Sequence, residues 1–209
     1  SRRPRPGRRV PIDRADGTDL RLRSGMALSP IPPALAGFFR AIPKVELHCH
    51  LLGSVRRDTF TELARRADAP ISADEIDAFY TRGDKPVGVL RVLRALDAWL
   101  LRTPDDLQRI TREYLLDAAD HGVRYAEFFW NPTGTVRSTG MAYADAQAGI
   151  ARGIREAESQ AGIVGRLIAA IDREADPAEA VQVARWMTEH RCDELIGLGI
   201  DYREVDRPP

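Results

Sequence analysis

The chain has 209 residues, 44% hydrophobic and 30% charged, a composition that can build a buried core and excludes disorder throughout. Its 31 Lys and Arg balance 31 Asp and Glu, which removes any whole-chain electrostatic case for nucleic acid or an anionic membrane as partner. No apolar run reaches the roughly 18 residues of a membrane helix, and no apolar segment follows the first arginines as in a secretory signal, so the expected address is the cytoplasm.

The neutral total hides a lopsided start. Residues 1–25 hold eight arginines against three aspartates, so this stretch is +5 and the rest is −5. Residues 1–30 have no helical or strand period and read as a flexible basic arm or appended residues, with 31–209 as the folded unit. A short helix is expected over 32–40, ending before Pro43. Strands follow over 44–50, 123–130, 164–171 and 195–200, the later ones nearly continuously apolar and so expected to be buried on both faces. Between them, 3.6-residue spacing predicts helices over 59–66, 72–79, 89–102, 104–120, 143–161 and 177–190. Ser72 with Glu75 forms a capping box, and Asp176-Pro177 is an N-cap with Pro at the first helical position. This order predicts an α/β fold with a parallel sheet and right-handed crossovers. Cys49 and Cys192 have no paired or metal-type spacing and read as buried or free thiols.

His48 and His50 stand two apart on the first strand, so both imidazoles leave one face while Cys49 points away. Such a pair suits one zinc ion with ligand distances of ~2.0–2.1 Å. Spacing alone equally allows two polar core histidines bonded to backbone. Their place at the carboxyl end of a strand favours the metal, because ligands of parallel α/β proteins gather there.

The run Pro43-Lys-Val-Glu-Leu-His-Cys-His-Leu-Leu-Gly-Ser54 resembles the first-strand motif of the adenosine/adenine deaminase family of amidohydrolases. The helical insertion after it, Tyr125-Ala-Glu-Phe128 and Gly199-Ile-Asp201 resemble the same family in the same order. The resemblance implies a (β/α)8 TIM barrel, of which four strands are present here, with a single zinc at its mouth bound by His48 and His50 together with a histidine after strand five and an aspartate after strand eight. It also implies hydrolytic deamination of an adenine-type base or nucleoside. The glutamate that handles protons and the histidine that orients the hydroxide in the family follow strands five and six, so no catalytic residue of this chain is assigned. His50, Leu52 and Asp201 are the candidates for contact with a small purine-type substrate.

Two positions depart from the family. Ribonucleoside-selective members place an acid where Leu52 stands, to hold the sugar 5′-hydroxyl. Glu204 stands where a glycine amide commonly meets the purine. Both point to a less usual substrate, such as the adenine-bearing metabolite aminodeoxyfutalosine. A different metal-dependent hydrolase opening on a His-x-His strand is a further reading, and a non-catalytic half-barrel binding protein is the expectation if the chain is naturally complete. His121 and His190 sit before strands, at the wrong end of a barrel for ligands, and read as structural or surface groups. Glu46 is expected to pack with a satisfied carboxylate, Glu127 and Arg173 to form a charge network or line the mouth, and Phe128, Phe129 and Trp130 to belong to the core rather than stack on a purine.

Overall fold

A computed structural model describes residues 32–81 and 94–202. The proposed arm, Glu204 and the first part of the helix expected over 89–102 lie outside these residues. Helix α1 (Pro33–Ala41) leads into β1 (Lys44–His50), and a 3-10 turn over Leu51–Ser54 passes the chain to α2 (Arg57–Arg66) and α3 (Ala73–Tyr80). After a single π-type turn, Leu96–Leu100, come α4 (Pro104–Asp120), β2 (Val123–Trp130), α5 (Pro132–Thr139), α6 (Tyr143–Ala161), β3 (Val164–Asp172), α7 (Pro177–Glu189) and β4 (Leu195–Asp201).

The four strands pair in chain order, β1-β2-β3-β4, and all are parallel. Parallel neighbours require crossovers, and the helices supply them. The strands and most helices therefore fall where the sequence periodicity puts them. Helix α5 is an addition to that reading, and the described end of the helix expected over 89–102 is wound as the π turn Leu96–Leu100.

The core lies between one face of the sheet and the helices. Ala126, Phe128 and Trp130 of β2 and Leu167 and Ala169 of β3 are fully or almost fully buried there, with Leu107, Ile110 and Leu115 of α4 and Ile150 and Ile154 of α6. Fully burying a Leu, Ile or Phe side chain is worth ~1.5–3 kcal/mol, so this layer is the main source of stability. Helices α4 and α6 touch backbone to backbone at Gly149, where an added Cβ would collide with the Pro104 carbonyl. Local chemistry fixes the helix starts: Thr103 and Asp106 form a reciprocal capping box on α4, and Asp176 accepts from the Ala178 amide at 2.8 Å on α7.

The other sheet face and the outer side of β4 are open. Val45 (64%) and Leu47 (56%) on β1, and Ile196, Leu198 and Ile200 on β4, are exposed apolar side chains on the two edge strands. Among the described residues no helix is long and apolar enough to cross a membrane.

Candidate metal centre

Strand β1 does not alternate evenly. Glu46 pairs with Ala126 and Cys49 with Phe128, so three steps on β1 match two on β2, and a bulge falls at Leu47 and His48. Since Ala126 and Phe128 face the helices, the bulge returns Cys49 to that side and leaves His50 opposite Phe129. Glu46 does not join the histidines: it borders Tyr114, Asp117 and His121, and its Oε1 accepts the His48 amide at 3.0 Å. It is thus the satisfied, packed carboxylate that the sequence suggests.

The imidazoles of His48 and His50 lie side by side with ring centroids 5.5 Å apart. Phe129 serves both, 4.7 Å from His48 and stacked at 5.3 Å and 27° on His50. Phe128 and Trp130 are core residues, whereas half-buried Phe129 belongs to the open face beside the histidines. Its ring lies over Gly199, the position on β4 that carries no side chain to displace it.

Asp201 closes this group from the end of β4. Its Oδ2 is 4.0 Å from His50 Nδ1, while its Oδ1 accepts the Asn131 side-chain amide at 2.9 Å. Burial, reinforced by the charge of the neighbouring Asp172, pushes Asp201 up to about 7 against the pull of the Asn131 hydrogen bond. Burial and the neighbouring His48 lower the pKa of His50, which keeps that ring in the neutral form a metal requires.

Behind this layer sits a second carboxyl that the sequence did not single out. Asp97, at the start of the π turn, is 3% exposed, and its Oδ1 accepts from Thr135 Oγ1 at 3.1 Å. Thr135 in turn accepts the Trp130 indole N–H at 3.0 Å. Asp97 Oδ2 has no hydrogen-bond partner and lies against the α carbon of Gly134, where a Cβ would come within 2.5 Å of it. Burial is the main cause that pushes Asp97 up to about 7, with the charges of Asp201 and Asp172 adding to it.

The remaining candidates fall away from this group. Leu52 is 7% exposed and packs in the hydrophobic core. His121 ends α4 with its ring on the Asp117 carbonyl at 2.8 Å, and His190 ends α7 beside Tyr143, both before their strands begin. Glu127 accepts from the Tyr125 hydroxyl at 2.7 Å. Among the described residues no group of three or more His, Cys, Asp or Glu is arranged to hold an ion. The donor set therefore fits a metal as a part: two adjacent imidazoles at a strand's carboxyl end, with positions for further ligands left open.

Residues 43–209 match the family model described as Adenosine deaminase. An adenine deaminase of Ralstonia nicotianae is 33% identical over 187 residues, which cover 86% of this chain and 53% of that protein. An aminodeoxyfutalosine deaminase of Acidothermus cellulolyticus is 33% identical over 171 residues, covering 80% of this chain and 47% of that one. Among solved structures, an amidohydrolase of Burkholderia ambifaria with bound zinc superposes with a TM-score of 0.84 at 64% identity, over 88% of this chain and 50% of the other. The chain spans about half the length of the relatives it matches.

Proposed function

The chain belongs to the adenosine deaminase family, and from that premise we propose that it contributes residues 31–209, the first four strands of a TIM barrel, to a zinc-dependent enzyme that releases ammonia from an adenine-type base or nucleoside. The observation that carries this reading is the pairing of His48 and His50 at the carboxyl end of β1, rings 5.5 Å apart on a shared Phe129. Each histidine would hold the ion through one ring nitrogen. The further ligands and the proton-handling groups would come from the later strands, for which relatives twice as long have room. The exposed apolar residues of β1 and β4 are the surface such strands and their helices would cover.

When bound, zinc supplies a water of lowered pKa, so that hydroxide is available near neutral pH. The residues of this chain orient and exclude. Phe129 fixes both imidazole planes, and Gly199 leaves room for that ring. Leu52, buried two positions after His50, offers no donor or acceptor to a sugar hydroxyl. A buried hydroxyl without a partner costs about 1–3 kcal/mol, which disfavours adenosine by roughly 5–150-fold against adenine.

The similarity to an aminodeoxyfutalosine deaminase supports a second reading, in which the substrate carries a substituent in place of the ribose 5′-hydroxyl, for which core-packed Leu52 leaves no acid. Ammonia release from adenine, adenosine and aminodeoxyfutalosine by the full polypeptide, with the later strands of the barrel, separates the two. The proposal expects one of the two compounds lacking a free ribose 5′-hydroxyl to lead adenosine by at least about tenfold in kcat/KM. Equal turnover of adenosine would remove the role given to Leu52, and no ammonia from any of the three would leave the non-catalytic binding protein in its place.

A further inference from the structure

We propose that Asn131 is a positioning residue for the metal face: it holds the Asp201 carboxylate toward Nδ1 of His50, so that His50 keeps its other ring nitrogen for the ion. The proposal rests on the metal reading of His48 and His50.

Asn131 stands at the last step out of β2 and is 4% exposed. Its side-chain oxygen caps α5, accepting the amides of Thr133 at 3.0 Å and Gly134 at 3.3 Å. Those two donors settle which way the amide lies, because the oxygen must face them and the nitrogen is then turned to Asp201 Oδ1 at 2.9 Å. Every strong bond the amide can make to this face is therefore specified by the start of α5. Asp201 is 70 residues further along the chain, so one side chain ties the carboxyl ends of β2 and β4 across β3.

The start of α5 is itself clamped. Asp97 packs on Gly134 from behind and accepts from Thr135, and Thr135 accepts from the Trp130 indole. With Asn131 unable to turn, Asp201 presents Oδ2 to the neutral His50 ring, 4.0 Å from Nδ1, the nearest carboxylate oxygen to that nitrogen among the described ion-pair contacts. A carboxylate on the second nitrogen of a metal-bound histidine fixes its tautomer and raises its basicity, and loss of such a partner typically weakens metal affinity 10–100-fold.

Two variants of the full chain separate this role from capping. Asn131→Ser keeps a hydroxyl able to cap α5 but is too short to reach Asp201. Asp201→Asn keeps the shape and removes the charge. Both are expected to weaken zinc in chelator competition by roughly 10–100-fold and to shift the visible absorption of the cobalt-substituted protein, with the metal-free melting temperature of Asn131→Ser close to that of the parent. Wild-type affinity and an unshifted cobalt spectrum in Asn131→Ser would overturn the proposal. His50→Ala in the same competition keeps the two failures apart: if it binds zinc as the parent does, the metal reading itself is wrong and the positioning role goes with it.

Discussion

His50→Ala in the full chain is expected to lower ammonia release by roughly a thousandfold or more while leaving the fold in place. The metal's contribution to such a reaction is several kcal/mol, and each 1.36 kcal/mol is about tenfold in rate. The fold survives because the His50 side chain is 41% exposed and contributes little burial. What the variant loses in packing is one face of Phe129, which still has His48 at 4.7 Å. Circular dichroism and a melting curve beside the rate measurement check both halves of this expectation. A variant that is folded and retains more than about a tenth of the parent rate would contradict the ligand role of His50.

The second large effect concerns stability and pH. The Asp97 carboxyl has an ordinary value of 3.8 and is pushed up to about 7 in the folded chain, mainly by burial. The folded state therefore holds the proton more tightly than the unfolded state. Its stabilising effect is complete below about pH 4 and is lost as pH rises toward 7, by at most ~4 kcal/mol at 1.36 kcal/mol per pH unit. Asp201 is displaced in the same direction and adds a slope of the same sign. Asp97→Asn keeps an acceptor for Thr135 and removes the buried charge. It is expected to flatten, without abolishing, the fall in unfolding free energy between pH 5 and 8, and to be more stable than the parent at pH 8 by about 2–4 kcal/mol. Denaturant unfolding across that range checks it, and a variant with the parent's slope would show that Asp97 ionises freely in the fold.

The sequence carried the strand order, because four short apolar runs separated by helical periods leave little choice but a parallel sheet. The strand over 123–130 and the helix over 143–161 have the same limits in the structure as in the periodicity. The histidine pair was legible for the same reason, since a period of two places both rings together. The bulge at Leu47 and His48 was not, because nothing in residues 44–50 marks the extra step; even alternation would have put Glu46 beside the histidines rather than near Tyr114. Helix α5 was hidden by its own composition, PTGTVRST, which has low helix propensity. It forms because Asn131 caps it, Pro132 starts it and Asp97 and Trp130 hold Thr135 from behind. The Asn131–Asp201 contact, 70 residues apart, and the burial of Asp97 belong to tertiary packing and have no local signature.

Two ligands to one zinc ion, supplied by His48 and His50, make the metal content of the protein depend on either ring. Elemental analysis of the purified full chain beside its His48→Ala variant, after dialysis against buffer treated to remove metal, tests this dependence directly. Close to one zinc per chain is expected in the parent and close to none in the variant; equal zinc in the two, or none in either after zinc is supplied, would show that the pair holds no metal.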